Sequence, residues 1–220
     1  MKIETDKILA HLKKHKYPYI LVVMFSILNI RVITDLVADW IRDDNYSHGF
    51  FMIPISAYLF YRKKEELKFP AEKSKIGILL LCGGLLLLVL GTAASEFFAT
   101  RVGFVTVLTG ITLTYVGNEN FKKVWFPFFF LLFMIPIPSI IYYAATIPMQ
   151  LFATKVTYVM LKTIGVPIMR NGNILMLPDY ALEVVEACSG LRSLVTLMAL
   201  GALYAYFRMP GKVLPTILFF

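Results

Sequence analysis

From residue 76 to residue 92 the chain carries no charged side chain, and residues 85–90 are almost pure leucine. A helix of that length and content is what the hydrocarbon core of a bilayer requires, about 20 apolar residues. Similar runs at 17–37, 47–61, 102–116 and 124–137 give five spans within 17–137. At 58% hydrophobic and 16% charged, the chain has too little polar surface to coat a soluble globule of 220 residues. It reads as an all-α polytopic membrane protein.

The net charge of +8 does not point to nucleic acid, because the basic residues fall in short clusters between apolar runs. Residues 1–16 hold Lys2, Lys7, Lys13, Lys14 and Lys16 against Glu4 and Asp6, with no cleavable site behind them, and read as a cytoplasmic tail. Arg62, Lys63 and Lys64 close the second run and open a basic loop to Lys75; Lys122 and Lys123 mark the same side again. Asp39, Asp43 and Asp44 against Arg42, and a short turn with Glu96 and Arg101, suit the outer side. Asn29 and Arg31 interrupt the first run, Arg31 either snorkelling or pairing with Asp35. Pro54 predicts a bend in the second.

The segment 140–164 decides how many times the chain crosses. Thr146, Gln150, Thr154 and Thr157 recur at helical spacing beside Lys155 and Lys162, a polar stripe that lipid disfavours. A helix lying at the interface or packed in the protein fits this best, with a true span as the alternative. In the first case Arg208 and Lys212 fall on the basic side, and His48, Arg170 and Cys188 share the outer face. Residues 166–186 carry the strand signals: Asn171-Gly172 between two short apolar runs, then Pro178-Asp179-Tyr180 turning into a third. A small outer-face β-meander therefore leads to Cys188. An apolar helix over 189–207 follows, and residues 213–220 begin a further span within which the chain stops at Phe220, so truncation is expected. The sum is about seven transmembrane helices, an interfacial or packed helix and the meander, in one integral membrane domain.

Cys188 sits at the start of its helix, where unpaired backbone N–H groups and Arg192 favour a thiolate. Glu183 and Glu186 push the other way, and a buried inert cysteine remains the bland alternative. Ser189 is the natural helix cap, although Ser189-Gly190 also resembles the helix-start serine of some intramembrane proteases. Cys82 lies deep in an apolar run, so a disulfide with Cys188 does not fit, and neither cysteine has a partner at metal-ligand spacing. No metal or cofactor is expected.

Glu-Ala-Cys-Ser-Gly-Leu-Arg-Ser, from Glu186 to Ser193, resembles the cysteine motif of the exosortase/archaeosortase family. Three further stretches resemble the same family in the same order: Tyr46-Ser47-His48-Gly49-Phe50, Phe133-Met134-Ile135-Pro136-Ile137-Pro138 and Arg170-Asn171-Gly172. The resemblance implies a multi-pass protein of the inner, cytoplasmic membrane with its active face outwards. It would cleave the C-terminal sorting signal of exported proteins, a recognition motif followed by an apolar helix and a basic tail. Acyl transfer would run through a thioester on Cys188, with water, an amine or a lipid as acceptor. His48 is the candidate base or, on the bland reading, caps its own helix or bonds a loop carbonyl. Arg192 would hold the thiolate or the oxyanion, and Glu186 would fix the loop or orient a base. The family also places an arginine and then a histidine on helices beyond the cysteine helix. This chain ends before them, so either it is truncated and its catalytic set incomplete, as expected here, or it is a divergent member that uses His48 and Arg192 instead.

The alternative class is a non-catalytic membrane component of a protein-export or exopolysaccharide-assembly system. A transporter fits less well, since Asn29, Arg31, Ser56 and Thr109 are nearly all the polarity its spans would offer. The charge pattern predicts that a cysteine replacing Glu66 is labelled by an impermeant maleimide only after cells are permeabilised. Labelling in intact cells would reverse the orientation.

Overall fold

A computed structural model describes residues 16–68, 74–185 and 191–208, the side chains of 16–19 and 191–192 excepted. The chain divides into two compact units, Met1–Pro136 and Ile137–Phe220.

The first unit opens with α1 (Lys16–Leu28) and α2 (Ile30–Arg42), bent by 70° where one straight span was expected at 17–37. Asn29 is the break: its side-chain amide donates to the Phe25 carbonyl at 2.9 Å and so engages the backbone locally. The bend turns the acidic stretch expected as a loop into helix, with Leu36 and Trp40 buried on one face of α2 and Ile41 exposed on another. Arg31 is exposed and makes no ion pair among the described residues. A single 3-10 turn, Asp44–Tyr46, leads to α3 (Gly49–Lys63), which carries Pro54 and buries Met52, Ser56 and Leu59.

Helices α4 (Lys75–Ala93) and α5 (Phe97–Val116) form the closest-packed pair of the unit. Ser74 caps α4, accepting the Gly77 N–H at 3.0 Å while donating to Asn118. The α4 glycines Gly77, Gly84 and Gly91 recur every seventh residue, and so do Gly103 and Gly110 on α5. They meet backbone directly. A Cβ on Gly84 would lie 2.8 Å from the Val107 nitrogen, one on Gly103 2.6 Å from that of Leu88, and one on Gly110 2.6 Å from that of Leu81. Small residues at such spacing let two membrane helices approach until their backbones touch, which is how packing drives association where lipid supplies no hydrophobic gain. The α1 ring of Phe25 stacks on Phe104 of α5 at 5.2 Å and ties the bent segment to this pair.

Helix α6 (Asn118–Leu131) runs back beside α3, with Phe60 edge-on to Phe128 and with Val124 and Phe130 buried, and ends in a 3-10 turn, Leu132–Met134. In the second unit, α7 (Ser139–Thr163) precedes three short antiparallel strands, β1 (Met169–Asn171), β2 (Ile174–Met176) and β3 (Ala181–Glu183), and α8 (Leu191–Arg208) follows. On α7 the expected polar stripe is largely buried: Thr146, Gln150 and Thr154 lie inside, in line with Tyr142. Thr157 is off that line and exposed. The β1–β2 turn is displaced by one residue from the Asn171-Gly172 reading, because Asn171 pairs with Ile174. Gly172 takes φ 61 as the first central residue, where type II′ turns place glycine. The second turn closes as expected, with Leu177 N–H donating to Tyr180 at 2.9 Å.

The molecule is thus mostly helical with one small open sheet. Among the described residues, helices α4 and α5 are each long and apolar enough to cross a membrane, and the number rises to four if the α1–α2 and α6–α7 pairs each count as one span. About seven were expected; of these, the run at 47–61 forms α3 with 15 residues, and residues 213–220 lie outside the described residues. The glycine contacts predict that Gly84→Leu destabilises the protein by about 1–3 kcal/mol or more. Gly83→Leu, where a side chain meets nothing within 4 Å, should stay within about 0.5 kcal/mol. Thermal midpoints in detergent check the pair.

Candidate functional site

The first unit has two chemically distinct ends. At one lie Arg62, Lys63, Lys75, Lys122 and Lys123, and the backbone is stitched by side chains: Asn120 exchanges hydrogen bonds with the Lys68 backbone at 2.7 and 3.0 Å, and Lys123 donates to the Glu66 carbonyl at 2.8 Å. At the other, the C-terminal turns of α2 and α6 meet the N-terminal turns of α3 and α5. Two of the family-like stretches come together there.

Trp40, in the last turn of α2, donates its indole N–H to the Met134 carbonyl at 3.0 Å. Its ring lies on Gly49, where a Cβ would come within 2.4 Å of the indole, and Phe50 meets it edge-on at 5.2 Å. Glycine at 49 is therefore what lets α3 start against the tryptophan. The neighbouring His48 places Nε2 3.2 Å from the Phe133 carbonyl oxygen. A carbonyl only accepts, so Nε2 carries the hydrogen. The His48 side chain makes no cap bond to its own helix and reaches the 3-10 turn that ends α6 instead. Ser47 and Asp43 finish the approach, Ser47 donating to Asp44 at 3.0 Å and Asp43 accepting from the Asn45 N–H at 2.9 Å.

Beside Trp40, Asp39 binds Arg101 at 2.6 Å. Both were expected in outer loops; both are in helices, and Arg101 is only 5% exposed. The sequence reading missed this because α5 begins at Phe97, a turn earlier than the hydrophobic run suggests. The signal was present in a lone arginine flanked by apolar residues, which near a membrane calls for an acidic partner. Phe97 adds its ring face 5.7 Å from the guanidinium.

In the second unit the meander is drawn onward through Asn173, which donates to the Glu183 carboxylate and to the Val184 carbonyl, each at 3.3 Å, and accepts the Val184 N–H at 2.9 Å. Glu183 thus fixes strand geometry. Arg170 donates to Gly172 at 3.0 Å within its own turn. Cys188 and its supporting residues Glu186, Ser189 and Gly190 lie outside the described residues, between Val185 and the start of α8. Arg192 stands in the first turn of α8, its side chain likewise outside the description. Asn29 and Thr109 bond carbonyls of their own helices and open no polar path. Among the described residues no group of His, Cys, Asp and Glu could hold a metal ion.

Long apolar helices, an apolar exterior and polar side chains gathered at helix ends define a membrane protein. Residues 40–220 match the model of the transmembrane exosortase family, Exosortase_EpsH, and the chain belongs to that family. No curated protein and no solved structure matches it. The Asp39–Arg101 pair yields a stability prediction. Asp39→Ala leaves a buried guanidinium unpaired and should cost about 1–3 kcal/mol, below the range for fully buried pairs because the Asp39 side chain is 37% exposed. Replacing both, Asp39→Leu with Arg101→Met, should recover most of that loss in the same thermal assay.

Proposed function

We propose that this chain acts as an exosortase-type cysteine peptidase and transpeptidase, with Cys188 as nucleophile. The observation that carries the reading is the Glu186–Ser193 motif within the matched region, which follows β3 in the chain and runs into the first turn of α8. A helix start supplies N–H groups toward an anion, and Arg192 in the first turn adds a charge that does not titrate. The Cys188 thiolate attacks the carbonyl carbon of the scissile peptide. The C–N bond breaks, the amine leaves with a proton taken from water, and the acyl group stays on sulfur as a thioester; the proton is returned when the incoming nucleophile loses its own. An incoming water, amine or lipid nucleophile then adds to that carbonyl and releases the thiolate.

The orientation belongs to the same proposal. The basic end of the first unit faces the cytoplasm and the His48 end faces outwards. The exposed strands are suited to water, since irregular backbone is not tolerated against lipid. A nucleophile at that boundary would reach a bond just outside the apolar helix of an exported protein's sorting signal, whose basic tail remains inside.

The test is to express the full chain with an exported protein ending in an apolar helix and a basic tail. The partner should be shortened, and Cys188→Ala should abolish the shortening, by about 1,000-fold or more. Shortening that persists in Cys188→Ala would overturn the assignment of the nucleophile. Export that depends on the chain without any shortening would instead support a non-catalytic component.

A further inference from the structure

We infer that the free edge of β3 is a docking strand for the substrate: the extended segment just before the substrate's apolar helix adds to the sheet as a fourth strand and is thereby led to Cys188. The phase of the ladder decides which backbone groups are free to receive it. Leu177 N–H donates to the Tyr180 carbonyl and Val184 N–H to the Asn173 carbonyl, each at 2.9 Å, and Leu175 stands opposite Leu182 between them. In an antiparallel pair, opposed residues that exchange backbone hydrogen bonds alternate with opposed residues that do not. Leu182 and Val184 therefore turn their N–H and C=O toward β2, and Ala181 and Glu183 turn theirs away from it. Among the described residues neither of those two backbones has a partner, and Ala181, Leu182 and Glu183 are all exposed.

An open edge is a template for another strand, and proteins guard it with proline, lysine, a bulge or a cover. Strand β3 carries neither proline nor lysine, and its one charge is drawn inward, the Glu183 carboxylate accepting from Asn173 at 3.3 Å. Asn173 also engages both backbone groups of Val184, so the pairing continues one residue beyond β3. The opposite edge is less open. There β1 packs on α7, and its middle residue, Arg170, folds back to donate to the Gly172 carbonyl at 3.0 Å. Two observations select the occupant. Cys188 follows Val185 by three residues, which span about 11 Å at most, so a chain paired with β3 lies within reach of the sulfur. A strand of three residues is also far too small to hold a second copy of this chain, since stable interfaces need about 1,000 Å² or more. It suits a segment that must leave once it is cut. Backbone pairing supplies the grip, and the exposed apolar side chains beside it, Leu182 and Val185, are placed to read the substrate's alternate side chains. For its activity arm the inference rests on the Cys188 reading above.

The experiment has a trapping arm and an activity arm, both on the full chain in detergent. Trapping uses Cys82→Ala with Cys188→Ala, which removes both native cysteines and the nucleophile, and adds Leu182→Cys. The probe is a synthetic peptide holding the exported partner's residues just before its apolar helix, the helix and the basic tail, with one cysteine walked along the first part. Disulfide formation needs Cα atoms within about 7 Å. Leu182→Cys should capture the peptide with a two-residue period, best and worst positions differing by about 10-fold, and Arg170→Cys on the far edge should capture it about 10-fold less. In the activity arm the chain keeps its cysteines and successive backbone nitrogens of the peptide are methylated. Methylation at every second residue should slow shortening by about 10-fold, with the residues between staying within about 2-fold. No capture at Leu182→Cys, capture without a period, or stronger capture at Arg170→Cys overturns the inference. So does a disulfide between two chains through Leu182→Cys that the peptide does not suppress, which would make the edge an interface between copies. If Cys188→Ala still shortens the partner, the nucleophile reading fails while trapping continues to decide the docking. A flat methylation scan in a chain whose cutting needs Cys188 sinks the docking alone.

Discussion

The first unit depends on backbone-to-backbone contact between α4 and α5. In lipid, apolar side chains gain nothing by leaving one apolar neighbour for another, so the association of two such helices has to come from close packing. The glycines at every seventh position supply it, each reducing a ridge to bare backbone opposite the other helix. A seven-residue repeat keeps that seam on one face only if the helices wind gently around each other. The rest of α4 can then remain apolar and exposed, as Leu79 and Leu86 are, because the seam alone defines the pair.

Such a seam fixes two helices but says little about where the others end. That is settled by polar contacts at the helix termini, where unpaired backbone groups are numerous and an unmet carbonyl is costly. Asn120 and Lys123 serve one end of the unit. Trp40, His48 and the Asp39–Arg101 pair serve the other. The two sets differ in kind. At the basic end the side chains reach across to loop backbone, whereas at the opposite end Trp40 and His48 reach the carbonyls of the 3-10 turn after α6 and Asp39 pairs with Arg101 from helix to helix. The bend at Asn29 belongs to the same logic, since it carries α2 to where Asp39 and Trp40 can act.

Much of this was legible in the sequence and some was not. The apolar runs announced α4, α5 and α6, and the charge clusters announced which helix ends share a side. The polar spacing on α7 foretold that this face is buried, although Thr157 falls outside the line because four-residue steps from Thr146 reach Gln150 and Thr154. The meander was visible in its turn residues, with the hairpin displaced by one because glycine at the first central position satisfies a different turn type from Asn-Gly in the middle. What did not show was pairing across distance. Asp39 and Arg101 are 62 residues apart and read as loop charges, since hydropathy places a charged residue outside a helix even when a partner lets it stay inside. Trp40 drew no notice at all, because nothing local to it reveals the carbonyl it serves.

This division of polar groups bears on where chemistry can reside. A side chain held by a backbone carbonyl or by an opposite charge is fixed in orientation by that contact. Asp39, Trp40, His48, Arg101 and Asn120 are all committed in this way within the first unit. The second unit is built differently: its strands are short, the outer two fully exposed, and they hand the chain directly to the segment between Val185 and Leu191. A strand-to-helix junction combines an open approach for an extended substrate with the N–H groups of a helix start. Under the proposed function, such a junction is where Cys188 would work.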